Sequence, residues 1–273
     1  MNINLHFNPN SFSKLFKSIP KIQSKMKVLL LAAGYSTRLY PLTKNFPKPL
    51  LEIANKPVIT YIIEKLEGLK EIKEIYVVTN NKFYQHFLDW KFNLNTKLKI
   101  EVLNDGTLSE DDKLGANGDI NFVINKKNIR EPLLILGGDN LFDFNLNEMV
   151  DYFKNKGENV VSLAEEKNLE LLKQLNSITL DENNKITFLV EKPEKPSSTL
   201  YVNCIYIYTK ETVQLYKTYL DQKNNPDQPG HFLQWLYPQK DVYGFLNKGN
   251  IIDIGTHETL EKARREFISS SSA

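Results

Sequence analysis

Arg38 and Lys48 lie in one short segment after a run of apolar residues. Arg38 and Lys48 follow the run Lys27–Ala33, and the small residues Ala33 and Gly34 stand where that run ends. Small residues let the backbone approach a ligand, and exposed N–H groups can bind phosphate oxygens. Arginine offers such oxygens a planar fork, and lysine offers a compact point charge. The segment indicates a site for a polyanionic ligand, although a surface loop with two solvated charges would show the same pattern.

Two aspartates stand where a metal ion could be held. Asp139 belongs to the string Leu136-Gly-Gly-Asp-Asn140, at the carboxyl end of an apolar run, where open α/β sheets place their ligand sites. Mg²⁺ prefers carboxylate oxygens together with substrate phosphates. In isolation, an aspartate there is more often a turn or N-cap residue. Asp253 lies in Gly249-Asn-Ile-Ile-Asp-Ile-Gly-Thr256, 114 positions later (139 to 253), so only the fold can bring the two together.

The elements that must position these residues alternate between strands and helices. Short apolar runs predict strands at 27–33, 74–79, 98–103, 132–136 and 159–164. Helical spacing of apolar residues predicts helices at 57–69, 82–92, 118–125 and 146–156. This alternation predicts an α/β fold with a Rossmann-like, mostly parallel central sheet and helices on both faces.

The pattern changes in the second half of the chain. Three strand-like segments follow one another at 177–180, 186–190 and 201–208. They predict a meander that forms an antiparallel extension of the same sheet. A last helix, predicted at 258–267, closes the domain.

Composition narrows the class of protein. The chain has 273 residues, of which 41% are hydrophobic and 25% charged, as expected of a globular protein with a core. The formal net charge of +2 gives no global basic field that would favour nucleic acid or a membrane surface as a partner. No apolar run approaches the roughly 18 residues needed to span a bilayer. The single cysteine, Cys204, excludes an intramolecular disulfide and is interpreted as a small core residue.

The chain ends differ from the rest of the sequence. Residues 1–25 contain four lysines and no acidic residue, which fits either a disordered extension or a targeting peptide. We favour the extension, and therefore expect a cytoplasmic protein, with organelle import as the alternative. Residues 26–268 are expected to form one domain, and 269–273 a disordered tail.

The opening segment also carries a resemblance to a known family. The strings Leu31-Ala-Ala-Gly-Tyr-Ser-Thr-Arg-Leu-Tyr-Pro-Leu-Thr43 and Phe46-Pro-Lys-Pro-Leu50 resemble the opening motif of the sugar-1-phosphate nucleotidyltransferases. The resemblance extends from about Lys27 to Phe267 and is greatest to short glucose-1-phosphate thymidylyltransferases. A dinucleotide-binding protein would instead need Gly-x-Gly-x-x-Gly after the strand, and only Gly34 is present there.

This resemblance implies a reaction between a nucleoside triphosphate and a sugar 1-phosphate, with release of pyrophosphate. It implies that Arg38 holds the leaving pyrophosphate and that Lys48 bridges the α-phosphate and the incoming sugar phosphate. It also implies that Asp139 and Asp253 share a catalytic Mg²⁺. Nucleotide contacts are implied for a further set of residues, which comprises Leu31, Ala33, Gly34, Asn104 and Gly115.

A third string, Phe188-Leu-Val-Glu-Lys-Pro193, resembles the sugar-site motif of the family. Without that context, a Glu-Lys pair at a strand end would be a solvated surface pair. By resemblance, Glu191 accepts hydrogen bonds from sugar hydroxyls, Lys192 neutralises the sugar phosphate, and Asn203 faces the sugar. Two positions depart from the family pattern, since Cys204 replaces a small residue and Asn176 stands where a glycine often contacts the sugar.

Two other functions remain open on sequence grounds. The chain could be a cytidylyl- or other nucleotidyltransferase that acts on a non-sugar phosphate such as phosphocholine. It could also be a regulatory homologue that binds nucleotide sugars without catalysis. A non-catalytic homologue would have little need of all the residues that the resemblance assigns to catalysis and metal binding. The sequence retains these residues, which are Arg38, Lys48, Asp139, Lys192 and Asp253. A homo-oligomer is compatible with the resemblance, and the sequence leaves the base and the sugar undecided.

Overall fold

The computed structural model describes residues 25–270. The predicted extension at 1–25 therefore lies outside the described residues, apart from Lys25, and so do the last three residues of the predicted tail. The final helix extends to Ser270 and includes two residues that the sequence analysis assigned to the tail.

The described residues form thirteen strands and nine helices. The strands are β1 (Met26–Leu31), β2 (Glu52–Ile53), β3 (Lys56–Pro57), β4 (Ile72–Thr79), β5 (Lys99–Asn104), β6 (Leu133–Gly137), β7 (Asn140–Phe142), β8 (Asn159–Glu165), β9 (Asn176–Leu180), β10 (Ile186–Glu191), β11 (Leu200–Tyr208), β12 (Val242–Leu246) and β13 (Ile251–Asp253). The helices are α1 (Val58–Glu67), α2 (Tyr84–Asn93), α3 (Ala116–Lys127), α4 (Leu146–Lys156), α5 (Leu169–Leu172), α6 (Lys210–Val213), α7 (Leu215–Asp221), α8 (Pro229–Leu236) and α9 (His257–Ser270).

Seven strands form the central sheet, in the order β12-β8-β11-β6-β1-β4-β5. Strand β11 is antiparallel to both of its neighbours, and every other neighbouring pair is parallel. The predicted Rossmann-like, mostly parallel sheet is thus confirmed. Strand β1 lies near its middle, and Leu29 pairs with Tyr76 on one side and Ile135 on the other. An apolar strand such as β1 fits this place because helices cover both of its faces.

The predicted antiparallel extension of the same sheet is only partly right. Strands β9 and β10 form a separate two-stranded antiparallel sheet, while β11 lies inside the main sheet between β6 and β8. The burial patterns give the reason. Residues 205–208 of β11 are all buried, which fits a strand covered on both faces, whereas Thr187 and Phe188 of β10 face solvent.

Two large apolar clusters cover the two faces of the sheet. One contains the buried faces of α1, α2 and α4, and the other those of α3, α7 and α8. Helix α1 packs against the sheet because its buried residues recur at helical spacing and form one apolar face. A third cluster joins the loop after β1 to β7, β13 and α9, through Leu39, Leu51, Ile53, Val58, Leu141, Ile252, Ile254, Leu260 and Ala263. No helix between residues 25 and 270 is long and apolar enough to cross a membrane.

Candidate active site

A two-stranded ribbon brings the two predicted metal ligands together. Strands β7 and β13 pair antiparallel outside the main sheet, with Asp253 opposite Asn140. The backbone N–H of Ile254 donates to the carbonyl of Asp139 at 3.3 Å. Asp139 and Asp253 therefore lie side by side despite their separation in sequence. The third cluster packs under this ribbon, and each aliphatic side chain buried there contributes about 1.5–3 kcal/mol to its stability.

The ammonium group of Lys48 lies against both carboxylates. Lys48 begins a 3₁₀ turn, Lys48–Leu50, and forms an ion pair with Asp139. Its Nζ is 3.9 Å from Oδ1 of Asp253. The Lys48 side chain is 13% exposed and that of Asp139 is 23% exposed, so water screens this contact less than a surface pair. The structure thus groups three of the predicted site residues.

Burial and charge act against each other at Lys48. Burial lowers the pKa of the ammonium group, but Asp139 and Asp253 outweigh this effect and raise it above its ordinary value. Lys48 is therefore protonated at neutral pH. Burial and repulsion from Asp139 raise the pKa of the Asp253 carboxyl, while Lys48 and Arg38 oppose the shift. Because 60% of the Asp253 side chain is accessible, water screens part of this shift.

Arg38 lies on the loop that faces this group. It sits in the 3₁₀ turn Thr37–Leu39, where Leu39 is buried in the third cluster and Arg38 itself is exposed. The hydroxyl of Thr43 donates to the carbonyl of Ser36 at 2.7 Å and closes the loop. The charge of Arg38 acts on Asp253 and Lys48. An exposed guanidinium beside an acidic pair is available to a phosphate ligand.

Three of the predicted nucleotide-binding residues lie at the end of β1 and directly after it. Leu31 is half-buried, Ala33 is buried and Gly34 is exposed. The amide of Asn80, itself fully buried, donates to the carbonyl of Ala33 at 2.8 Å, and its oxygen accepts from the N–H of Phe83 at 3.0 Å. Asn80 thus fixes the backbone of the turn. No motif in the sequence indicated Asn80, although a polar residue directly after β4 was a usable signal.

The end of β5 and the loop after it hold the next two predicted nucleotide residues. The amide of Asn104 donates to Asn81 at 2.7 Å, and its oxygen accepts from the N–H of Gly106 at 2.8 Å. Both ends of this side chain are therefore used within the protein. Gly115 precedes α3 with φ +76°, and a Cβ there would lie 2.6 Å from the carbonyl oxygen of Pro226. Only glycine fits this close crossing.

Beneath this loop lies a buried carboxyl group, Asp119, in the first turn of α3. Asp119 is 6% exposed. Burial raises its pKa to about 9, and the charge of Asp105 and a hydrogen bond to it add to the shift. Asp105 in turn accepts from the N–H and hydroxyl of Thr107, whose Oγ1 is 3.3 Å from the hydroxyl of Tyr35. A polar chain thus connects Asp119 to the residue that follows Gly34.

A second group of charged residues lies at the end of β10. Burial raises the pKa of Glu191 to about 7, and the charge of Lys192 opposes the shift. Gln228, at the start of α8, lies between the two, and these partners assign its amide orientation, with the nitrogen donating to Oε1 of Glu191 at 2.9 Å. Its oxygen accepts from Nζ of Lys192 at 2.5 Å. Oε2 of Glu191 is buried without a partner among the described residues. A Cβ at Gly230 would lie 1.9 Å from that oxygen.

Asn203 lies close to this group in the fold. It is 7% exposed, and neither end of its amide finds a partner among residues 25–270. The amide of Asn176 accepts from the N–H of Val202 at 2.7 Å and donates to its carbonyl at 3.1 Å. Asn176 is also opposite Glu191 in the β9–β10 pair. Asn176 therefore links the strand end that carries Glu191 to the residue before Asn203, and Cys204, half-buried, follows on β11.

With this geometry established, comparison with known proteins decides the family. The family model described as nucleotidyl transferase matches residues 27–270. The chain belongs to the nucleotidyl transferase family. The resemblance to sugar-1-phosphate nucleotidyltransferases that the opening motif indicated is confirmed by this family model and by relatives that are named mannose-1-phosphate guanylyltransferases.

Three relatives show the extent of the similarity. The bifunctional protein GlmU of Methanocaldococcus jannaschii is 30% identical over 231 residues, which cover 84% of this nucleotidyl transferase and 51% of GlmU. Mannose-1-phosphate guanylyltransferase 1 of Arabidopsis thaliana is 35% identical over 136 residues, 48% of this chain and 36% of the plant protein. The structure of a UDP-glucose pyrophosphorylase complexed with UDP-glucose superposes with a TM-score of 0.77 at 24% identity, covering 90% and 99% of the two chains. This nucleotidyl transferase spans about half the length of the GlmU relative.

Proposed function

We propose that this nucleotidyl transferase joins a nucleoside triphosphate to a sugar 1-phosphate and releases pyrophosphate. The observation that carries the proposal is the placement of Lys48 against Asp139 and Asp253, beside the loop that presents Arg38. This arrangement offers fixed cations to two phosphate groups and carboxylates to a metal ion.

A magnesium ion fits the two carboxylates. No group of three or more His, Cys, Asp or Glu side chains arranged for a metal occurs in the described part of the chain. Mg²⁺ does not require one, because it is commonly held by one or two carboxylates together with substrate phosphates and water. Asp139 and Asp253 would hold it, and when bound it would balance charge on the triphosphate. The protonated Lys48 already shows that a cation is stabilised at this place.

The reaction follows from the charges of the site. An oxygen of the sugar phosphate attacks the α-phosphorus, and the bond from that phosphorus to the pyrophosphate oxygen breaks. The attacking phosphate is already anionic, so no side chain has to remove a proton. Lys48 would hold the α-phosphate and the attacking phosphate close together, and Arg38 would hold the leaving pyrophosphate. Catalysis is then mainly positioning and charge neutralisation.

The second group of residues supports a sugar as the acceptor. Oε2 of Glu191 and both ends of the Asn203 amide are buried without partners among the described residues. Buried polar groups of this kind are costly unless a ligand pairs with them. A polyhydroxyl ring both donates and accepts hydrogen bonds, and so matches a carboxylate and an amide. We favour glucose 1-phosphate with a thymidylyl or uridylyl donor, in keeping with the structural similarity to a UDP-glucose pyrophosphorylase.

The test is a substrate matrix. Pyrophosphate release by the purified protein is measured with Mg²⁺, for dTTP, UTP, CTP and GTP against several sugar 1-phosphates and phosphocholine. Release that requires one nucleotide and one sugar phosphate supports the proposal and identifies both substrates. Release with phosphocholine in place of the sugar phosphates would assign a non-sugar acceptor. Nucleotide binding without release in any combination would indicate a regulatory homologue.

A further inference from the structure

Glu191 and Lys192 carry opposite charges on adjacent residues, yet they do not pair with each other. Neither side chain forms an ion pair among the described residues, where 16 such pairs occur. Lys192 adopts a left-handed backbone conformation with φ +49°, and its N–H donates to the carbonyl of Leu175 at 2.7 Å. A direct pair would occupy both groups that the proposed sugar phosphate has to meet.

Gln228 lies between the two charges. Its amide nitrogen donates to Oε1 of Glu191 at 2.9 Å, and its amide oxygen accepts from Nζ of Lys192 at 2.5 Å. A neutral amide can donate to a carboxylate through its nitrogen and accept from an ammonium group through its oxygen at the same time. Gln228 therefore occupies one hydrogen-bonding position on the carboxylate and one on the ammonium group. The remaining hydrogen-bonding positions of both groups stay available to a ligand.

The far oxygen of Glu191 is held against the first turn of α8. Oε2 lies 1.9 Å from the place that a Cβ of residue 230 would take, and it is buried without a partner in the described residues. Glycine at 230 makes the room for it. The positive end of the α8 dipole favours a carboxylate at this place. The carboxyl is thus fixed on one side by Gln228, with one oxygen left unpaired.

We propose that Gln228 is a positioning residue that keeps Glu191 and Lys192 apart, so that one can accept from a sugar hydroxyl while the other meets the sugar phosphate. This inference rests on the proposed function, and it assigns to this nucleotidyl transferase an acceptor with separate hydroxyl and phosphate contacts. No pattern in the sequence indicated Gln228, because its partners lie some 36 positions earlier (228 to 192).

The test replaces Gln228 by methionine, which has similar volume but cannot bridge the two charges. In Gln228→Met, Glu191 and Lys192 are free to pair directly. We expect KM for the sugar 1-phosphate to rise about 10-fold, while KM for the nucleotide changes less than about twofold. Gln239→Met, at an exposed position whose amide donates only to the carbonyl of Trp235, is the matched control and should leave both constants unchanged. An equal rise of both KM values in Gln228→Met would overturn the positioning role.

A second measurement does not depend on turnover. The pKa of the Glu191 carboxyl can be followed by carbon NMR in glutamate-labelled protein, with Glu191→Gln to assign the signal. Loss of Gln228 should lower this pKa, because the carboxylate exchanges a hydrogen bond from a neutral amide for a direct ion pair with Lys192. The titratable groups that interact with its charge are Lys192 and the buried Tyr206 of β11. On α8, burial and Lys192 lower the pKa of His231, and Asp227 opposes this.

The two measurements separate the possible failures. An unchanged or raised pKa of Glu191 in Gln228→Met would show that Gln228 does not keep the carboxyl apart from Lys192, whatever the enzyme turns over. A lowered pKa in a protein that releases no pyrophosphate with any substrate pair would support the Gln228 contact and contradict the proposed function instead.

Discussion

Asp253 lies directly opposite Asn140 in the β7–β13 ribbon, and this register sets its carboxylate beside that of Asp139. The ribbon is only three residues long on each side, yet it determines whether the two acidic groups can act on one ligand. Lys48 reaches the same place from a different segment and pairs with both. The central feature of the site is therefore a tertiary arrangement of one cation and two anions from three segments.

Loss of either carboxylate should affect turnover much more than folding. We expect Asp139→Asn and Asp253→Asn to reduce kcat by about 100-fold or more, a size typical for removal of one electrostatic contact to a transition state. Asp151→Asn, on the exposed side of α4, is the matched control and should retain full rate. Pyrophosphate release and thermal unfolding are measured on all three. Full activity of Asp139→Asn in excess Mg²⁺ would contradict its assignment as a metal ligand.

Replacement of Lys48 should make the protein more responsive to magnesium. In Lys48→Met, the two carboxylates lose their counter-charge, and we expect the free energy of unfolding to fall by about 1–3 kcal/mol without metal. Because Mg²⁺ can supply the missing charge, it should raise the Tm of Lys48→Met by more than that of the wild type. The comparison protein is Lys210→Met, which changes an exposed lysine. If Mg²⁺ does not change the Tm of Lys48→Met, that result would argue against a metal ion between these carboxylates.

A methyl group at residue 230 should displace Glu191 without unfolding the protein. The Cβ of Gly230→Ala would lie 1.9 Å from Oε2 of Glu191, which is the end of a flexible side chain and can move. Alanine also favours the helix by up to about 1 kcal/mol. We therefore expect an unchanged or higher Tm together with a roughly 10-fold rise of KM for the sugar 1-phosphate. The control is Gly68→Ala, whose Cβ would lie 3.6 Å from its nearest neighbour, the carbonyl oxygen of Lys65. It should change neither the Tm nor the KM for the sugar 1-phosphate. A Gly230→Ala enzyme with wild-type KM would place the sugar elsewhere.

The buried Asp119 should make stability fall with rising pH. Its pKa is about 9 in the folded protein, above the ordinary value of 3.8, so between these limits the folded state holds a proton that the unfolded state has lost. Its contribution to stability is complete below pH 4 and is lost progressively up to pH 9, at no more than about 1.4 kcal/mol per pH unit. Asp119→Asn keeps a donor to Asp105 without a titrating proton. The stability difference in favour of Asp119→Asn should therefore grow from pH 5 to pH 8 in urea unfolding, and a constant difference would contradict the pKa assignment.

Local patterns were enough to predict the sheet and most of its helices. Helix α4 begins and ends at the predicted residues, because its apolar spacing is regular and Gly157 follows it. The apolar run at β1 likewise predicted a buried strand, as observed. The position of β11 in the sheet could not be predicted. An apolar strand has the same sequence pattern at a sheet edge and in the sheet interior, so its place depends on neighbours that the pattern does not reveal.

The site was predictable only in part, and for a clear physical reason. Residues within one string, such as Arg38 and Lys48, show their chemistry in sequence. Asp139 and Asp253 were paired through family resemblance alone, because a ribbon of three-residue strands has no periodic signal. Asn80 and Gln228 were missed, since each works through contacts with distant residues that spacing does not reveal.

The most direct test of the central claim follows the α-phosphorus itself. The protein is incubated with Mg²⁺, UTP or dTTP labelled at the α-phosphate, and glucose 1-phosphate, and the label is located. Transfer of the nucleotidyl group predicts labelled nucleotide sugar and an equal amount of unlabelled pyrophosphate, with both products dependent on the sugar phosphate and reduced in Asp139→Asn. A folded, nucleotide-binding protein that transfers no label to glucose 1-phosphate or to any other sugar 1-phosphate would contradict it.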